Sequence, residues 1–141
     1  MSSRKNIVIL GVSGSIGSQT LDIVRKHGDK LNIVGMSVNT SVDKLMEASR
    51  EFEVSHLVVA DKSKACDDFA LQNKDLICFG QEAVIELAKL KEADIIVNAL
   101  SGAAGLYASE AALRAGKILA LANKESLVVG GDILIPLAKE Q

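Results

Sequence analysis

The sequence predicts a doubly wound α/β domain: a mostly parallel, Rossmann-like sheet with helices on both faces. Three observations predict it. Six short runs rich in Ile, Val and Leu alternate with helical patterns along 141 residues. Most of these runs are continuously apolar, as strands buried on both faces of a parallel sheet are. A glycine-rich turn joins the first run to the first helical pattern, and the short β–α connections repeat thereafter. The length suits one domain with a single core.

The first strand is read at Asn6–Leu10. In the helix that follows, Ile16, Thr20, Ile23, Val24 and His27 fall on one face, with Gln19, Asp22, Arg25 and Lys26 on the other. That spacing predicts Ile16, Thr20, Ile23, Val24 and His27 on the buried side. Asn32–Ser37 reads as the second strand and Val42–Phe52 as its helix. His56–Ala60 is the third strand, followed by a helix over Lys64–Leu71. Leu76–Phe79 is the fourth, followed by a helix over Gln81–Leu90. Asp94–Ala99 is the fifth, and the next helix, Leu106–Ala115, ends before Gly116, where positive φ is favoured. Lys117–Leu121 is the sixth strand. The final GGDILIPLAKEQ reads as a helix with neither cap nor closing strand, as in a domain cut from a longer protein.

Composition excludes several functions. Sixteen Lys and Arg against 18 Asp and Glu give a net charge of −2, and without a basic stripe a nucleic-acid partner is disfavoured. No apolar stretch approaches the ~18 residues of a membrane span, and the N-terminus has no signal-type apolar core. A cytoplasmic protein is expected. Cys66 and Cys78 lack metal-type spacing and read as buried free thiols of a reducing compartment. His27 and His56 have no carboxylate partner or ligand spacing in sequence and read as structural, and no cluster of His, Cys, Asp or Glu has metal-site spacing.

Gly11, Gly14 and Gly17 form a G-x-x-G-x-x-G turn directly after the first strand. Gly11 permits the sharp turn, Gly14 lets a phosphate approach the backbone, and Gly17 lets helix and strand pack closely. The free N–H groups of the first helical turn, with the helix dipole, would bind a pyrophosphate. Ser13 and Ser15 add hydroxyls. A tight strand–helix turn without a ligand is the plain alternative; the turn's place in the first βα connection favours the dinucleotide.

The second strand ends as MSVNTSVDK, with Ser37, Asn39, Thr40 and Ser41 and no acid before Asp43. A carboxylate there would grip the ribose hydroxyls of NAD and repel a 2′-phosphate; its absence favours NADP, whose phosphate the Ser and Thr hydroxyls and the Asn39 amide can bind. No Arg or Lys lies in the loop itself, and Thr40 or Ser41 also suits a helix N-cap.

Two further strand ends point to the same edge of the sheet. After Asn98, the small residues Ser101, Gly102, Ala103 and Ala104 leave room for a ring or ribose, or serve helix–sheet packing. After the sixth strand come Asn123, Lys124 and Glu125. Asn123 suits an N-cap and Glu125 the dipole, whereas a lysine there is electrostatically misplaced unless an anion or Glu125 pairs with it. Lys124 is therefore read as facing substrate, with Asn123 and Glu125 positioning the nicotinamide ribose.

ILGVSGSIGSQTLDIVR, SGAAGLYASEAALRAGKILALANKESLV and their separation resemble the N-terminal domain of the 1-deoxy-D-xylulose 5-phosphate reductoisomerase family over nearly the whole chain. The LANKESLV segment is the specific part. The resemblance implies an NADPH-binding Rossmann-like domain, followed in longer chains by a catalytic and dimerising domain and a helical C-terminal domain. It implies rearrangement and reduction of a phosphorylated deoxy-pentulose to 2-C-methyl-D-erythritol 4-phosphate, a step of non-mevalonate isoprenoid biosynthesis. NADPH would supply the hydride, and a divalent metal, Mg or Mn, would be required.

By the same resemblance the cofactor turn falls on Ser13, Gly14, Ser15 and Ile16, the nicotinamide-side contacts on Asn123 and Glu125, and the substrate lysine on Lys124. Ser13 stands where the family often has Thr. Asn39, Thr40 and Ser41 replace a Gly-Lys-Asn-like triplet. The family's metal ligands and phosphate pocket would follow Gln141, so this chain holds no catalytic or metal-binding residue of its own. Alone it is expected to bind NADPH weakly and to catalyse nothing, while the full-length enzyme would be a homodimer. Another two-domain reductase, of the semialdehyde-dehydrogenase type, would want a catalytic cysteine that neither Cys66 nor Cys78 supplies. A nucleotide-sensing module without chemistry is the remaining reading.

Overall fold

The computed structural model describes residues 4–63, 77–100 and 102–121. In chain order these form β1 (Lys5–Leu10), α1 (Ser15–Lys26), β2 (Leu31–Val38), α2 (Val42–Phe52), β3 (His56–Val59), β4 (Ile77–Phe79), α3 (Gln81–Ala88), β5 (Ile95–Asn98), α4 (Gly102–Arg114) and β6 (Ile118–Leu121). The strands form one sheet in the order β4-β3-β2-β1-β5-β6, and each neighbouring pair is parallel. The expected α/β class is thus the observed one.

β1 lies at the centre, and its side chains alternate between two cores. Ile7 and Ile9 join Leu21 and Val24 of α1 and Val42, Leu45 and Met46 of α2. Val8 and Leu10 join Val84 and Leu87 of α3 and Ala108, Ala111 and Ala112 of α4 on the opposite face. All four β1 residues are at most 3% exposed. Burying each such aliphatic side chain contributes about 1.5–3 kcal/mol, so the continuous apolar run of β1 is what a strand covered on both faces requires.

The first helix differs from expectation. Of the expected face Val24 is buried, but its companions in the core are Gly17 and Leu21, whereas Ile16 is 42% and Ile23 53% exposed. His27 is also exposed. The helix turns its smallest residue inward because the preceding turn lies against it, which rotates the two isoleucines away from the sheet. His27 ends the helix through its backbone, its N–H donating to Ile23 O and Val24 O at 3.1 Å.

His56 does have a carboxylate partner. Its Nε2 lies 3.3 Å from Glu92 Oε2, a residue 36 positions away that no local spacing reveals. Cys78 is exposed, not buried. α4 begins at Gly102, four residues before the expected start, and Gly116 has the expected positive φ, at 77°. The helix expected at Lys64–Leu71, Cys66, Leu76 and the GGDILIPLAKEQ segment lie outside the described residues.

Candidate functional site

β1 pairs with β2 on one side and β5 on the other, so the connections leaving β1 and β5 diverge, as at the ligand-binding crevice of open α/β sheets. Gly11 follows β1 with φ +85°, and a Cβ there would lie 3.3 Å from Ala99 O and 3.4 Å from Leu100 Cδ2. The loops after the two strands therefore almost touch. Beside them opens a cleft of about 400 Å3. Gly11, Ser13 and Gly14 form one wall; Asn39 and Ala60 follow β2 and β3; Gln81 and Val84 come from α3; Ala99, Leu100 and Ala104 close it from the β5–α4 side.

Ser37 holds the turn from beneath. Its carbonyl accepts the N–H of Gly11 at 3.1 Å and of Val12 at 2.8 Å, and its hydroxyl accepts from Gly11 N–H at 3.2 Å. The residue is completely buried. Ser37 is therefore a support of the turn and not one of the ligand-facing hydroxyls expected at the end of β2.

Gly14 occupies the N-cap of α1 in extended conformation, and no side chain caps the helix. The first intrahelical bond runs from Ser18 N–H to Gly14 O at 2.9 Å, leaving the amides of Ser15, Ile16 and Gly17 ahead of it. Three unspent donors and the positive end of the dipole make this an anion-binding terminus. A Cβ on Gly14 would approach only Gly11 O, at 3.7 Å, whereas one on Gly17 would fall 2.3 Å from Gly11 O and 2.6 Å from Val12 Cα. Space is thus open at Gly14, where a phosphate would approach, and shut at Gly17, where helix and turn meet. The residues present fit a pyrophosphate.

The structure brings Gly11, Ser13, Gly14 and Asn39 together in the cleft. Ser15 and Ile16 are exposed on the first turn of α1, and Thr40 is exposed after β2. Ser41 takes the N-cap of α2, without a side-chain cap bond. Asn123, Lys124, Glu125 and Ser101 lie outside the described residues. Ala60, Gln81 and Val84 were not anticipated, because their place follows from β3 and α3 lying across the sheet from the glycine turn. The apolar run ending in Ala60 was the one hint.

Asn98 proves structural. Completely buried, it donates through Nδ2 to Gly105 O at 2.8 Å and to Ser109 Oγ at 2.7 Å, and its Oδ1 accepts from Leu100 N–H at 3.0 Å. These bonds fix the path from β5 into α4. Of the residues after it, Ala99, Leu100 and Ala104 line the cleft.

A second groove, of about 250 Å3, runs between α1 and α2 and contains Ser13, Ser18, Arg25, Lys44, Glu47 and Glu51. Ser13 belongs to both hollows. Arg25 spans the far part: its Nη2 donates to Glu51 Oε1 at 2.8 Å, it also pairs with Asp22, and its guanidinium lies 5.4 Å from the Phe52 ring centroid. The hydrogen bond from Arg25 holds the Glu51 carboxyl below the usual carboxylate range, the nearby positive charge adding to it against some desolvation. Among the described residues no group of three or more His, Cys, Asp or Glu could hold a metal ion, and no helix is long and apolar enough to cross a membrane.

Residues 7–131 match the family model described as 1-deoxy-D-xylulose 5-phosphate reductoisomerase. The enzyme of that name from Thermodesulfovibrio yellowstonii is 45% identical over 131 residues, 92% of this chain and 34% of its own length. The one from Clostridium botulinum strain Okra is 41% identical over 140 residues, 96% of this chain and 36% of its length. This chain thus spans about a third of the curated relatives it matches. Among solved structures, the Zymomonas mobilis reductoisomerase in complex with NADPH superposes with a TM-score of 0.89 at 34% identity, covering 98% of this chain and 37% of that one.

Proposed function

Since the chain belongs to the 1-deoxy-D-xylulose 5-phosphate reductoisomerase family, we propose that its 141 residues are the NADPH-binding domain of an enzyme that isomerises and reduces that sugar phosphate to 2-C-methyl-D-erythritol 4-phosphate. The observation that carries the reading is the cleft at the strand-order switch, walled by Gly11, Ser13 and Gly14 and adjoining the uncapped start of α1. A relative solved with NADPH supports the coenzyme, and one solved with NADPH, fosmidomycin and magnesium supports a divalent metal in the whole enzyme.

In this reading the amides of Ser15 and Ile16 and the hydroxyl of Ser13 hold the pyrophosphate, with Gly14 bare so that it can approach. Gly11 and Gly17 shape the turn, and Ser37 anchors it through the amides of Gly11 and Val12. Asn39, Thr40 and Ser41 are assigned to the adenosine ribose, and, by the family resemblance, Asn123 and Glu125 to the nicotinamide ribose and Lys124 to the phosphorylated substrate. Bound NADPH supplies the hydride. The chain's own contribution is positional, since fixing the reacting groups in one geometry removes an entropic barrier. The metal ligands belong to residues outside this chain, and the whole enzyme is a cytoplasmic homodimer.

Titration of the protein with NADPH, followed by coenzyme fluorescence, tests the reading. Weak binding is expected, and Gly14→Leu is expected to abolish it while the circular-dichroism spectrum still shows a folded protein, with at most the small loss of melting temperature that a leucine N-cap brings. Binding that survives a folded Gly14→Leu variant would refute the role of the turn.

A further inference from the structure

A 2′-phosphate distinguishes NADPH from NADH, and the loop after β2 offers it only the amide and hydroxyls of Asn39, Thr40 and Ser41. We propose that Lys44, on the first turn of α2, supplies the missing cation by reaching that phosphate in the groove between α1 and α2, and so sets the coenzyme preference. The inference rests on the NADPH reading above.

Three observations carry it. The groove and the coenzyme cleft share Ser13, so a group leaving the adenosine side of the cleft over Ser13 arrives beside Lys44. Of the two cations in the groove, Arg25 is committed to Glu51 and Asp22, whereas Lys44 is exposed and has no ion pair among the described residues. Lys62, in the loop following β3, is already 3.4 Å from Glu82.

A lysine in the first turn of a helix also opposes the helix dipole, a cost that a bound anion relieves. The groove holds two carboxylates. Arg25 neutralises Glu51, while Glu47, one turn beyond Lys44, stays unpaired among the described residues and works against the phosphate. The site is therefore one of modest preference, set by the balance of Lys44 and Glu47.

The experiment is a fluorescence titration of the protein with NADPH and, separately, NADH, repeated on Lys44→Gln, Lys44→Arg and Glu47→Gln. Lys44→Gln is expected to weaken NADPH about tenfold, the order of one charge-assisted hydrogen bond, and to leave NADH unchanged. Lys44→Arg keeps most of the affinity, and Glu47→Gln tightens NADPH alone. Equal loss of both coenzymes in Lys44→Gln, or no loss of either, overturns the assignment. If the unsubstituted protein binds NADH as tightly as NADPH, the assignment falls while the dinucleotide reading stands; if it binds neither, the dinucleotide reading falls and takes the assignment with it.

Discussion

Gly17 has no side chain because Gly11 O and Val12 Cα already occupy the place where one would go. Alanine there must push the glycine turn off the helix, and overpacking of this kind costs about 1–3 kcal/mol. Gly17→Ala is expected to lower the unfolding free energy by that amount, read as a lower urea midpoint at an unchanged denaturant slope, and to weaken NADPH because the turn amides move. Gly14 responds differently, since open space lies around it. Both glycines are equally visible in the sequence, yet only the distances separate a packing role from a binding one. Ser37 was legible as a polar residue at a strand end, but not as the acceptor of two turn amides, because its burial follows from β1 and β2 pairing side by side.

Helix α1 shows why a periodic pattern can place a helix and still misjudge its face. Counting apolar residues favours the stripe through Ile16, Ile23 and Val24; the packed stripe keeps Val24 but otherwise runs through Gly17 and Leu21. Glycine carries almost no weight in such a count, yet here it decides the rotation, because only it fits against the turn. Across to α2, Arg25 and Glu51 join the two helices. The folded state lowers the Glu51 pKa through the Arg25 hydrogen bond, so the link contributes fully above the ordinary glutamate range and is lost as pH falls through the lowered value. Melting temperature measured from pH 7 downward should fall on acidification, and Glu51→Gln should flatten that fall. The effect is small, since both side chains are 43% exposed and exposed pairs are screened. No flattening in the variant would show that the pair contributes nothing.

At the scale of the molecule, the six strands were legible as short apolar runs, with ends shifted by at most one residue; β1 is buried on both faces as such a run implies, whereas the edge strands β4 and β6 expose Cys78 and Ile118. The glycine turn was legible for a similar reason, as a local pattern with one physical use. Neighbours in the sheet were not: nothing between residues 5 and 10 announces that their partners are residues 31–38 on one side and 95–98 on the other. The contributions of Ala60, Gln81 and Val84 to the cleft depend on that same arrangement, as does the His56–Glu92 pair.

The central position of β1 governs how this chain emerges from the ribosome. Residues 1–93 carry β1 to β4 but lack β5, so a nascent chain of that length holds a bare apolar edge on its middle strand until the later segment is synthesised. A chain truncated after Ala93 is expected to precipitate or bind chaperone, while one reaching Leu121 stays in solution, as a sedimentation assay of translated fragments would register.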